Sequence, residues 1–274
     1  MALARTHQKA TLVERLGARA VRASLFDAGT LAPAMAGCEA VVNVATSIPP
    51  PSRAALRGAW RENDRIRQEG SAALVDAALA ADASRYLQES IAMTYADGGD
   101  RWLGEEAPVD RPAFVATTAD AEAAARRFTE AGGTGVVLRF AQFVAADSTH
   151  TLAAVGTARR GISAFLGDPS GYSTWVDADD AAAAVVAALG VAPGTWNVAE
   201  DGLATRAAQA DALARAVGRA RLRQVPAPLQ RLGGPLAVML RRSLRVSNRS
   251  FREATSWTPA VRSSVDGWAA VADA

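Results

Sequence analysis

Short runs of apolar and β-branched residues alternate along the chain with alanine-rich stretches whose polar positions recur at helical spacing. That alternation is expected of strand–helix units wound around a parallel sheet. Residues 2–5 predict the end of a strand, 9–16 a helix, 20–25 a second strand and 30–36 a second helix. Residues 39–45 (E-A-V-V-N-V-A) predict a third strand, apolar enough to be covered on both faces. Three prolines at 49–51 break the chain, and 53–81 reads as mostly helical with Gly70 as its weak point. Further strands are predicted at 86–90 and 135–140, with a helix at 119–130 between them. From about residue 145 the loops lengthen, with helices at 180–189, 206–217 and 228–241. The pattern predicts an α/β protein with a sheet domain over 1–145 and a smaller α/β lobe over 146–274.

Composition narrows the chemistry. The 274 residues are half apolar and carry 30 basic against 28 acidic side chains, enough for a core and without the charge excess of a nucleic-acid binder. One cysteine, Cys38, excludes an intrachain disulfide, and two histidines cannot build a Cys/His metal cluster, so no metal is expected. The longest apolar run, 181–189, is far below the roughly 20 residues that span a bilayer. A soluble, cytoplasmic protein acting on a small molecule is expected, with neither nucleic acid nor membrane as partner and a homodimer as one possible assembly. Lysine occurs once, at Lys9, which removes every mechanism that needs a lysine elsewhere.

Several segments, in order, carry a resemblance. They are L-G-A-R-A-V-R-A-S-L-F-D (16–27), E-A-V-V-N-V-A (39–45), R-Y-L-Q-E-S-I-A (85–92), V-V-L-R-F (136–140), W-V-D-A-D-D-A-A-A-A-V (175–185) and G-T-W-N-V (194–198). With the tail R-V-S-N-R-S-F-R…T-S-W-T-P (245–259), they resemble the NAD-dependent epimerase/dehydratase family of extended, here atypical, short-chain dehydrogenases. The resemblance implies a Rossmann-type doubly wound parallel sheet, NAD or NADP as cofactor, and a C-terminal lobe shaping a pocket for an aldehyde, ketone or nucleotide-sugar. The family opens with a strand, a G-x-x-G-x-x-G turn and a helix before the strand that this chain enters at Ala2. The sheet is therefore expected to lack its first βα unit, with a true start upstream. The glycine clusters at 98–99, 132–135 and 233–234 read as turns or helix ends rather than a phosphate cradle.

The family's Y-x-x-x-K pair has no counterpart: the residues four beyond Tyr86, Tyr95 and Tyr172 are Ser90, Gly99 and Val176. Aligned on Glu122, Phe114 and Thr118 take the places of the tyrosine and lysine. The resemblance implies Ser90 and Tyr95 as substitute catalytic hydroxyls, the plainer alternatives being a cofactor contact for Ser90 and a packing role for Tyr95. It implies Arg5, Leu25, Ala45, Thr46 and Ser90 at the cofactor, Arg5 tilting the preference toward NADP. Arg139 and Phe140 are expected at the substrate, with a structural ion pair as the alternative for Arg139. Ser24 replaces an acidic adenine contact, while Asp27, Asp179 and Asp180 read as helix caps. An inactive dinucleotide-binding protein, or a clipped product that binds no cofactor, are the alternatives to an oxidoreductase.

Overall fold

The computed structural model describes residues 1–273. β1 (Ala2–Leu3) passes through Thr6, whose hydroxyl oxygen accepts the Lys9 amide, into α1 (His7–Arg15). β2 (Ala20–Val21) lies parallel to β1. Asp27 accepts the Gly29 and Thr30 amides and so caps α2 (Ala28–Met35), as its position predicts. β3 (Ala40–Asn43) follows. The long helical stretch comes in four pieces: a 3-10 turn at Arg57–Trp60, α3 (Arg61–Arg65), a π-helical turn at Ile66–Gly70 and α4 (Ser71–Ala80). A Cβ on Gly70 would meet the Leu25 side chain at 3.0 Å, so the missing side chain lets this helix press on the segment after β2.

β4 (Arg85–Ile91), β5 (Trp102–Leu103), α5 (Thr118–Glu130), β6 (Thr134–Phe140) and β7 (Gln142–Val144) come next. The C-terminal part holds α6 (Thr149–Arg159), β8 (Trp175–Asp177), α7 (Ala178–Ala187), β9 (Gly194–Val198) and α8 (Arg206–Ala216). The helix predicted over 228–241 is split into α9 (Ala227–Arg231) and α10 (Gly234–Leu240), because Gly234 turns left-handed at φ +63°. β10 (Arg245–Val246), α11 (Arg249–Thr255) and α12 (Ser264–Asp273) complete the chain.

The main sheet is parallel throughout, in the order β3-β4-β6-β9. β1 and β2 pair only with each other, and no strand joins them to β3 among the described residues. Val42 and Val44 on the outer strand are accordingly exposed, at 38% and 55%. Helices α2, α4 and α5 cover one face around Leu31, Leu74, Tyr86, Phe128 and Val137. A Cβ on Gly135 would sit 1.9 Å from the Ala125 carbonyl oxygen, so α5 rests directly on β6. The other face packs Leu87, Val136 and Leu138 with Ala181 and Ala184 of α7, Phe251 and Trp257. A third cluster groups Val155, Phe165, Leu213 and Trp268, with Trp175 packed against it.

One capping expectation is corrected. Asp177, not Asp179 or Asp180, caps α7 by accepting the Asp179 amide. Asp180 is buried and accepts the Ala260 and Val261 amides, tying α7 to the chain beyond α11. Among the described residues no helix is long and apolar enough to cross a membrane.

Candidate active site

Ligands of open parallel sheets lie at the carboxyl ends of the strands. At the end of β3, Asn43 turns its side chain inward to Ser71 and Gln88 and accepts the Ala45 amide, while Ala45 is half-buried and Thr46 exposed. The loop after the three prolines returns to Trp60, whose indole N–H donates to the Ala54 carbonyl at 2.8 Å. Trp60 meets Phe114 edge to face at 5.6 Å, and both are buried. The position matched to a proton-donating tyrosine is thus part of an apolar wall. Thr118, matched to the lysine, is wholly buried, donating to the Val115 carbonyl and accepting from Arg111.

Ser90, Arg139 and Asn197 stand side by side in register on β4, β6 and β9. The Ser90 hydroxyl donates to Glu122 at 2.8 Å, and Arg139 grips the same carboxylate from two nitrogens at 2.9 and 3.0 Å. Arg111 pairs with its second oxygen. Burial opposes ionisation of Glu122, but hydrogen bonds from Arg139 and Ser90 and the nearby guanidinium charges outweigh it and hold the carboxyl below the usual glutamate range. The Tyr95 hydroxyl donates to Asn197 at 2.8 Å and accepts from Arg139 at 3.1 Å. Burial raises its pKa despite the neighbouring guanidinium, making it a poorer acid than a free phenol.

Of the residues expected at cofactor and substrate, Ser90 and Tyr95 are fully buried, with their hydroxyls hydrogen-bonded inside the protein. Arg139 is the hub of the buried network, and Phe140 is a core residue at 2% exposure. Glu122 and Arg139 are what sequence reading undervalued. The first served there only as an alignment mark, although an acidic residue within an alanine-rich helix face already signals a buried partner.

At the carboxyl ends of β1 and β2 lies a cavity of about 360 Å³, lined by Ala4, Arg5, Arg22, Ser24, Leu25 and Phe26 among others. Leu25 is buried with its side chain in the core. Arg5 and Arg22 are exposed, and Arg5 is held only loosely by Glu62 at 3.5 Å. Two guanidinium groups over a cavity of this size fit a phosphorylated ribose. Arg22 was missed because it sits inside an otherwise ordinary strand pattern. The rest of a dinucleotide fits less completely. Among the described residues no glycine-rich turn links a strand to a helix, since Gly98, Gly132 and Gly233 follow a 3-10 turn and loop, α5 and α9 respectively.

A parallel sheet flanked by helices, with a basic cavity at the carboxyl ends of β1 and β2, defines a Rossmann-type fold. A family model described as NAD(P)H-binding matches residues 1–190. The chain belongs to that NAD(P)H-binding family, and its cofactor class is NAD or NADP. A 3-diazoavenalumate denitrifying reductase from a Streptomyces species is 32% identical over 219 residues, covering 76% of this chain and 72% of the relative. Among solved structures, a dTDP-glucose 4,6-dehydratase from Streptomyces venezuelae with NAD bound superposes at TM-score 0.75. It is 20% identical and the match covers 98% of this chain and 83% of that one. The human epimerase family protein SDR39U1 with NADPH gives TM-score 0.77 at 20% identity, covering 96% and 94%. The epimerase/dehydratase resemblance and the doubly wound fold are borne out.

Proposed function

We propose that this chain is an NADP-dependent reductase delivering hydride to a small electrophile that needs no proton from the protein, an arenediazonium cation being the favoured class. The observation that carries the reading is the want of a proton donor. By the resemblance Phe114 and Thr118 take the places of the tyrosine and lysine, and the Ser90 and Tyr95 hydroxyls are buried and bonded within the protein. Carbonyl reduction builds an alkoxide that must be protonated as it forms, so a site without an acid is poorly suited to it. A diazonium cation plus hydride yields the hydrocarbon and dinitrogen; the two charges cancel and no proton is consumed. The name of the 32%-identical relative describes a reductive loss of nitrogen, which supports the same class here.

NADPH supplies the hydride when bound. On this reading Arg5 and Arg22 hold its 2′-phosphate, the Leu25 backbone faces the adenine side, and Ala45 and Thr46 run beneath the ribose. Trp60 and Phe114 keep water from the reacting face, and the Glu122–Arg139 pair positions the ends of β4 and β6. The test follows NADPH oxidation with a benzenediazonium salt, benzaldehyde and UDP-glucose in parallel, with evolved nitrogen measured. Turnover with the diazonium salt and one nitrogen released per NADPH is expected. Benzaldehyde reduction at an equal rate sinks the reading. NADPH binding without turnover of any of the three would favour a non-catalytic nucleotide-binding protein, the second reading to which the buried hydroxyls lend weight.

A further inference from the structure

Resting on the proposal that Arg5 and Arg22 meet the 2′-phosphate of NADPH, we infer that Glu62 of α3 sets the margin by which this site prefers NADP to NAD, by competing with that phosphate for Arg5. The two arginines line the same cavity of about 360 Å³ but differ in company. Arg22 is exposed and forms no ion pair among the described residues, so its guanidinium is free to receive a phosphate. Arg5 Nη1 stands 3.5 Å from Glu62 Oε1, and neither side chain has another ion-pair partner among the described residues. The two side chains are 59% and 43% exposed, so the pair is open to solvent and cheap to break.

Three neighbours of Glu62 on α3 hold the helix in place without it. Asn63 Oδ1 accepts the Ser47 amide at 3.0 Å, and Asp64 accepts the Thr117 hydroxyl at 3.0 Å. The Arg65 guanidinium lies 3.8 Å from the centre of the Phe26 ring, and Phe26 lines the same cavity as Arg5 and Arg22. The Glu62 carboxylate is thus delivered to the cavity's edge by a helix fixed on both sides of it. A 2′-phosphate is close to doubly charged at neutral pH and is gripped best by a guanidinium that offers two parallel N–H groups. To offer both, Arg5 must leave Glu62, and the released carboxylate then stands beside a second anion. NADH presents only a hydroxyl there and asks for no such release. Specificity is a difference of affinities, so a carboxylate that opposes one cofactor and ignores the other narrows the gap between them.

Fluorescence titration of the full chain with NADPH and NADH, at pH 8 and low salt, tests this in four variants: Glu62→Gln, Arg5→Ala, the two together, and Arg22→Ala. Glu62→Gln should tighten NADPH about threefold, the span expected for freeing one exposed ion pair, and leave NADH unchanged. In the Arg5→Ala chain the same Glu62→Gln change should give no further gain, because no guanidinium is left to release. An equal gain for NADPH and NADH, a gain undiminished without Arg5, or no gain at all would each overturn the assignment. The first two would show a general effect of charge, and the third a carboxylate that does not compete. Arg22→Ala separates this outcome from the cofactor reading itself. NADPH weakened by Arg22→Ala with no response to Glu62→Gln keeps the phosphate at the cavity and removes only the role of Glu62. NADPH affinity untouched by Arg22→Ala and by Arg5→Ala sinks both.

Discussion

Replacing Glu200 by glutamine should make the protein more stable at alkaline pH and leave it nearly unchanged at acid pH. In the fold the carboxyl is buried and its pKa is pushed up from 4.5 to about 7, first by burial and then by Asp266, against the two hydrogen bonds from Ser264. The folded state therefore holds this proton more tightly than the unfolded chain does. Its contribution is fully present below the unfolded pKa near 4.5 and is lost as pH rises through about 7. The full shift corresponds to about 3 kcal/mol at 1.36 kcal/mol per pKa unit. Glutamine can still accept the Ser264 amide and can donate to its hydroxyl, so the local bonds survive without the charge. At about 2–4 °C per kcal/mol for a domain of this order, Glu200→Gln should melt several degrees above the parent at pH 8.5. The two should nearly coincide at pH 5. Differential scanning calorimetry at half-unit pH steps reads the gap directly. Curves that run parallel across the whole range would refute the reasoning, since they would show that Glu200 titrates alike in both states.

Gly135→Ala should destabilise the fold by about 3 kcal/mol, seen in urea melts as a lower midpoint, because its Cβ would fall 1.9 Å from the Ala125 carbonyl oxygen and push α5 off the sheet. Arg139→Met should cost about 3 kcal/mol by leaving Glu122 buried with Arg111 as its remaining cation, whereas Arg139→Met with Glu122→Leu should recover part of that loss. If the double variant melts below the single one in the same urea series, the network holds more than its own charges. Arg5→Ala and Arg22→Ala together should weaken NADPH binding by at least tenfold and leave NADH binding unchanged, as fluorescence titration would show.

Much of the sheet domain was legible because its strands are continuous apolar runs and its helices are alanine-rich and amphipathic, so each element announces itself over several residues. The same logic placed Asp27 as a cap and Cys38 beside a strand. Short strands carry no such signal. Trp102–Leu103, Gln142–Val144 and Arg245–Val246 are two or three residues long and exist through parallel partners distant in sequence. The basic stretch at 241–252 shows what a charge pattern hides. Arg242 pairs with Asp110, Arg245 stacks over Trp102 and Tyr172, Arg249 pairs with Glu253 and Arg252 with Asp201. Sequence alone offers the cations and hides their partners.

The surroundings of the expected site residues are hidden from the sequence for a related reason. Ser90 and Tyr95 carry the right atoms at a plausible place, and only the register of β4 against β6 reveals that Arg139 stands next to Ser90 and needs a carboxylate. Once Glu122 answers that need, the serine and tyrosine hydroxyls become the remaining hydrogen-bond partners of one buried charge pair. Restoring a tyrosine at Phe114 would not by itself restore the chemistry: its hydroxyl would lack the lysine that lowers a phenol's pKa, and it would enter an apolar wall against Trp60. Such a wall raises the pKa of a phenol placed in it, by burial alone. On the proposed reading, the apolar wall at Trp60 and Phe114 goes with a reaction that needs hydride alone.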